Sequence, residues 1–330
     1  MQIKTVYGII HTMNKRLKFM NEILETFEKH YPSRVAGTKG ELKAGLYIAD
    51  VLGNLGYKAF RQNLSFITDN REITSQNFIA RKSAKSTTEH TIVIGAHYDN
   101  VDIGKGIDDN ASGVALLLDT ARYFKKNACN ANLVFAFFGS EEARIERSGS
   151  EHYVNALFKS QRDRILCYVN LDSLLAGDFK YIHAGGSNGA KRVQKKCMLF
   201  AKNNGIDLKM QQGLGDTPKG ELSECGDTTP FQRFGIPYIA FEASNWEIGS
   251  HDGYTQIKGT NNWDGDYSVW HTENDKLKTI RKLEDGRIDK RLSEFSVVLR
   301  RTLQLIPQAM VFEKNFEKNL DRNKEVCNEK

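Results

Sequence analysis

Thr91-Ile92-Val93-Ile94-Gly95-Ala96-His97-Tyr98-Asp99 is a nearly continuous apolar run that stops at an imidazole and a carboxylate. Apolar residues at odd and even positions alike predict a strand covered on both faces, as in the middle of a parallel sheet. Upstream, 57–64 and 75–81 have strand character, while 14–30 and 39–55 carry apolar residues at helical spacing, with Gly56 as a helix stop. Between those helices Pro32 and Gly37 mark a loop, and Thr38 can cap the second helix. Downstream, helix 111–126, strand 132–138, helix 149–159, strand 165–171 and helix 189–203 alternate. A short helix at 229–234, a strand at 237–241 and a long helix over 288–305 follow. Alternation of this kind predicts an α/β fold, three layers in α-β-α order around a mainly parallel, mixed central sheet. One domain over 1–330 is expected, its helices starting near residue 14, with the charged stretch 313–330 as a solvated or frayed tail.

Composition narrows the function classes. With 40% apolar and 27% charged residues, the chain reads as an ordinary globular protein. Its net charge of +6 is spread over Lys and Arg interspersed with acids, the pattern of solvated faces, so nucleic acid is not an expected partner. No apolar run approaches bilayer length, the longest being strand-sized pieces such as 133–138, and no membrane association is expected. The apolar stretch Val6–Ile10 is too short for a signal-peptide core, which gives the expectation of a cytoplasmic protein. The cysteines, Cys129, Cys167, Cys197, Cys225 and Cys327, lie far apart and suit neither a disulfide framework nor a Cys-x-x-Cys metal knuckle; buried thiols are expected. All the tryptophans, Trp246, Trp263 and Trp270, fall in 243–270 with Tyr254 and Tyr267, among Gly, Asn and Asp. Such a stretch either walls a pocket or packs on its own aromatics.

The chemistry collects where strands end, the edge at which open α/β sheets bind ligands. His97 closes its strand and Asp99 follows at a spacing that puts both side chains on one side of an extended chain. Glu141-Glu142 follows the strand 133–138 after Gly139-Ser140, and Asp172 follows Tyr168-Val169-Asn170-Leu171. Asp108-Asp109-Asn110 precedes a helix, where one Asp alone would read as a cap. Each motif has a plain reading: a core histidine, a solvated turn, a hydrogen-bonded acid. Together they put several acids at one sheet edge, at a steep desolvation cost unless cations neutralise them.

These residues resemble a di-zinc exopeptidase family that includes leucyl-type aminopeptidases, aminopeptidase Y, glutamate carboxypeptidase and, more distantly, glutaminyl cyclase. The resemblance runs through Ser33–Thr38, Gly95–Asp99, Gly106–Gly113, Gly139–Glu142, Asn170–Asp172 and Trp270-His271-Thr272, in that order. It implies a zinc exopeptidase-like fold and two Zn2+ ions, for which Co2+ or Mn2+ could substitute. His97 and Asp172 would bind one ion, Glu142 and His271 the other, and Asp109 would bridge them, leaving Glu141 as the catalytic acid/base. Asp99 would orient His97 through its second ring nitrogen. Peptides with a free N-terminus are the implied substrates. A carboxypeptidase should show clustered Arg for the substrate carboxylate, a cyclase usually keeps one metal, and a non-catalytic receptor-like relative should have lost ligands.

The sequence departs from the family pattern twice. Residues 143–148 separate the Glu-Glu pair from Gly149-Ser150, a longer loop than usual, and the late motif Gly226-Asp227-Thr228-Thr229-Pro230-Phe231 lacks the usual histidine. Asp227 reads equally as a pocket residue or a helix cap. Leucine-like, basic and broad side-chain preference all remain open at this level.

Overall fold

A computed structural model describes residues 2–68, 71–143, 148–214, 216–223, 226–248, 256–258 and 268–328, with the side chains of 2–13, 68, 71 and 314–328 outside that description. The described strands are β1 (Phe60–Thr68), β2 (Arg71–Lys82), β3 (Thr91–His97), β4 (Asn132–Phe138), β5 (Ile165–Leu171), β6 (Phe179–Gly185), β7 (Leu208–Lys209) and β8 (Tyr238–Ser244). They form one sheet in the order β1-β2-β4-β3-β5-β8-β6-β7. The four central strands β4, β3, β5 and β8 run parallel. β2 pairs antiparallel to β4 on one side and β6 antiparallel to β8 on the other, so the sheet is mixed with a parallel centre, as expected.

Side chains alternate between two faces along each strand, which explains why continuous apolar runs were required. Ile92, Ile94 and Ala96 of β3 and Leu133, Phe135 and Phe137 of β4 join the larger core. That core is covered by α1 (Gln2–His30), α2 (Lys39–Asn54), α3 (Ser112–Lys126), α6 (Asn188–Asn203), α8 (Leu277–Leu283) and α9 (Arg287–Asn328). Val93, Val134, Ala136 and Phe138 point the other way, onto Tyr153 and Val154 of α4 (Gly149–Asn155) and Phe231 of α7 (Thr229–Arg233). Burying each large apolar side chain contributes about 1.5–3 kcal/mol, so both layers are held mainly by this sandwich.

The caps follow the sequence. Thr38 accepts a hydrogen bond from the Glu41 N–H at the start of α2, and Gly56, at φ +79°, lies just past its end. Three helices differ from expectation, the first being α1, which begins at Gln2 rather than near residue 14. α4 stops at Asn155 and the chain re-enters helix only as α5 (Lys159–Arg162), because Phe158 is extended (φ −64°, ψ 154°). Over the expected tail the backbone is helical, α9 running through Asn328. Its Lys, Glu, Leu and Arg are good helix formers, so helix propagates from the packed part without an apolar face of its own. Cys129, Cys167 and Cys197 are buried free thiols; the side chains of Cys225 and Cys327 lie outside the described residues. No described helix is long and apolar enough to cross a membrane.

Candidate metal centre

The carboxyl ends of β3, β4 and β5 bring His97, Glu141-Glu142 and Asp172 to one edge, and the turn Ile107–Ala111 before α3 adds Asp109. His271, from the loop ahead of α8, completes the set. His97 Nε2 lies 3.0 Å from Asp109 Oδ1 and 3.4 Å from Asp172 Oδ1. His271 Nε2 lies 3.3 Å from Asp109 Oδ2 and 3.0 Å from Glu142 Oε2. Asp109 therefore turns one oxygen to each imidazole. The ligand atoms of His97, Asp109 and Asp172 lie within 4.8 Å of one another, as do those of Asp109, Glu142 and His271.

Backbone conformation is tightly specified here. Among non-glycine described residues, positive φ occurs at Ser140 (58°), Ser173 (46°) and His271 (56°): beside Glu141, beside Asp172, and at a candidate ligand itself. Left-handed backbone costs L-residues roughly 1–3 kcal/mol and persists where the surroundings over-determine it. Gly226, at φ +56°, abuts Glu141, and a Cβ there would stand 3.1 Å from its Oε1.

What holds these turns is a buried polar scaffold. Asp275 accepts the N–H groups of Ile107, Asp108 and Asp109 at 2.8, 2.6 and 3.1 Å. Asp108 accepts the N–H groups of Leu175 and Ala176, just past Asp172, and the side-chain amide of Gln256. Gln256 in turn accepts the N–H groups of Val269 and Trp270, fixing the loop that carries His271. Glu41 accepts from Ser140 N–H, the Ser75 hydroxyl and Gly37 N–H. Arg34, fully buried, donates to the carbonyls of Tyr31, Tyr98, Lys105 and Gly106. Asp99 Oδ1 stands 3.6 Å from His97 Nδ1, beyond hydrogen-bond length, and its oxygens take the N–H groups of Glu141 (3.0 Å) and Glu142 (3.1 Å).

The electrostatics are those of carboxylates short of cations. Burial and the neighbouring carboxylates, Asp227 and Glu142 among them, push Glu141 well above the usual range, and burial with Asp109 pushes Glu142 up to about 7. Burial likewise raises Asp172. Burial pushes Asp109 up too, but hydrogen bonds and charge from His271 and His97 outweigh it and hold that carboxyl below its ordinary value. Burial works against charge on His271, yet Asp109 and Glu142 overcome it and raise the imidazole to about 10. Asp227 is buried, pushed up to about 7 by burial, and sits between Gly226 and Thr228, which line the cavity. A donor set of imidazoles and carboxylates, buried and mutually repelling, fits a divalent cation and suits zinc.

The centre opens into a cavity of about 280 Å³ walled by Ser173, Leu222, Glu242, Trp246, Gln256 and Trp270 among others. Trp246 and Trp270 thus line the pocket, while Tyr254, Trp263 and Tyr267 lie outside the described residues, as do 144–147 of the long loop. That loop still returns α4 to the strand end: Gly149 N–H donates to Gly139 O at 2.7 Å, and Asn77 contacts both glycines. Asp275, Gln256, Glu41 and Glu242 were not singled out by the sequence. The only local signal was Glu41 three residues after Thr38, a pattern that reads as a cap.

Comparisons with known proteins bear on the family and the fold. The chain is 28% identical over 319 residues to the alkaline phosphatase isozyme conversion protein of Escherichia coli, covering 88% of this chain and 90% of that protein. Among solved structures it is similar in fold to BSAP, a zinc aminopeptidase from Bacillus subtilis (TM-score 0.66, 17% identity, 86% of this chain and 94% of that one). It is also similar to a glutaminyl cyclase from an Acidobacteriales bacterium (TM-score 0.69, 18% identity, 89% and 95%). The pattern of Peptidase family M28 matches residues 77–296, which include all five expected metal ligands. By that match the chain belongs to peptidase family M28.

Proposed function

We propose that the chain is a zinc-dependent aminopeptidase acting as a single domain, with two metal positions sharing Asp109. The observation that carries this is the division of Asp109, one oxygen towards the His97–Asp172 side and the other towards the Glu142–His271 side. In this reading His97 and Asp172 hold one ion and Glu142 and His271 the other. Bound there, the ions supply Lewis acidity towards a water and towards the scissile carbonyl.

The chain's own groups do the rest. Glu141 lines the cavity beside the ligand set, where its carboxylate takes the proton of the attacking water and hands it to the leaving amine. Asp99 fixes the Glu141-Glu142 backbone through its two N–H bonds and so positions both carboxylates. The described cavity lining offers no Lys or Arg to receive a substrate carboxylate, while Glu141 stands as an acid beside the metal positions. That lining favours a substrate with a free α-ammonium over one with a free carboxylate, and so an aminopeptidase over a carboxypeptidase.

The test is release of free amino acid from unblocked and N-blocked peptides, with and without chelator, in the wild type and in Glu141→Gln. Release from unblocked peptides only, abolished by chelator and restored by zinc, is expected. Cleavage of N-blocked peptides or chelator-insensitive cleavage overturns the reading, and cyclisation of N-terminal glutamine without hydrolysis replaces it with a cyclase.

A further inference from the structure

Glu242 is an acid in the cavity wall for which the hydrolytic chemistry has no use. On β8, Phe241 and Ala243 point into the larger core, so Ala240, Glu242 and Ser244 face the cavity. The antiparallel partner β6 presents Tyr181 opposite Glu242 and His183 opposite Ala240, on the same face. His183 Nε2 meets Glu242 Oε1 at 2.8 Å, and the Trp246 indole N–H donates to the same oxygen. His183 is itself held, fully buried, parallel to Tyr181 and edge-on to Trp246.

One oxygen of Glu242 is thus occupied twice, while the other has no partner among the described residues, and the side chain stays 23% exposed. A carboxylate locked at one oxygen and open at the other is a preorganised acceptor. The same cavity is lined by the indoles of Trp246 and Trp270, the latter stacked on His271 at 3.7 Å, surfaces that also attract a cation. No Lys or Arg stands among the described lining residues to pair with it.

We propose that Glu242 is a specificity-determining residue that receives the guanidinium or ammonium end of the substrate's N-terminal side chain, so that Arg and Lys are the preferred residues released. This rests on the aminopeptidase reading. The α-ammonium is bonded to the same Cα as the scissile carbonyl and stays within about 3 Å of it, beside the metal positions, whereas Glu242 stands on the β8 wall and in none of the ligand trios. A side chain whose charge lies several bonds further out spans from the metal ligands to the β8 wall.

The experiment compares kcat/KM for Arg-Ala, Lys-Ala, Leu-Ala and Gln-Ala in the zinc-loaded wild type and in Glu242→Gln, which keeps an acceptor oxygen for His183 and Trp246 and removes the charge. The wild type is expected to favour the two cationic substrates by about 10–100-fold, and the variant to lose that preference with Leu-Ala nearly unchanged. Absence of the preference, or an equal loss on all four substrates, overturns the proposal. Should the variant not fold, calorimetric titration of the wild type with L-argininol and L-norleucinol decides. Both carry an α-amine and no scissile bond; argininol should bind at least about tenfold tighter, and equal binding overturns the proposal. Hydrolysis of Leu-Ala without cationic preference defeats this inference alone, whereas no release from any unblocked peptide defeats the aminopeptidase reading with it.

Discussion

Two buried aspartates near α3 show how differently the same residue can be used. Asp119, in the middle of the helix and with its side chain fully buried, is met by three guanidiniums, those of Arg16, Arg122 and Arg300, with Ser296 alongside. Asp109, just ahead of the helix, is met by two imidazoles and stands among further carboxylates. At Asp119 the fold supplies its own counter-charge, so the ion pairs tie α1, α3 and α9 together. At Asp109 the fold sets imidazoles and further carboxylates together instead, the donor set that a divalent cation would take. A buried acid that the chain has neutralised is structural; one that it has crowded with other acids marks a site.

The sharpest way to break this contrast is at Glu141. Glu141→Gln should lower kcat by about 10²–10⁴-fold while leaving zinc content unchanged, measured by single-turnover hydrolysis and metal analysis of the same sample. Loss of metal in that variant would make Glu141 a ligand. Next, Asp119→Ala should destabilise the protein by about 2–4 kcal/mol, because it takes the shared partner from three partly buried guanidiniums; a denaturant titration reads this directly. The opposite sign is expected at the other region. Glu142, raised from 4.5 to about 7, binds more protons folded than unfolded, so in chelator-treated protein the stability it contributes is lost as pH rises from about 4.5 to 7. Glu142→Gln should therefore raise the metal-free Tm at pH 8, by on the order of a few kcal/mol in stability, and have little effect at pH 4. A fall in Tm at both pH values would erase the distinction between the two regions.

Asp99→Asn comes fourth, with an expected loss of about 10–100-fold in zinc affinity or kcat/KM, since it replaces one acceptor of the Glu141 and Glu142 N–H groups by an amide nitrogen. The smallest effect is at a site with no charge at stake. Thr38→Ala should cost about 0.5–2 kcal/mol through loss of the α2 cap, without altering the pH dependence of activity.

The sheet centre was legible because β3, β4 and β5 are almost uninterrupted apolar runs, and each run ends on a titratable residue a few positions from its last core side chain. Local pattern therefore located His97, Glu141, Glu142 and Asp172. Asp275 was not legible as a site residue: the N–H groups it holds lie 166 to 168 positions earlier, and nothing in the sequence around it announces them. Arg34 and Glu41 showed only as part of a loop motif and as a cap, not as supports of the turns at the site. Glu242 was hidden for a different reason. It sits in Ala240-Phe241-Glu242-Ala243-Ser244, an ordinary alternating strand, and becomes unusual only once β6 sets His183 behind it.

The long reach of Asp275 also sets a timetable. Chains emerge from the ribosome amino-terminus first, so α3 and the strands β3 to β5 are available well before residue 275 exists. Until then the N–H groups of Ile107, Asp108 and Asp109 lack the acceptor that shapes their turn, and His271 has not been made either. The centre is therefore assembled late in synthesis, so that a nascent chain carries the acids of a peptidase without yet having its working geometry.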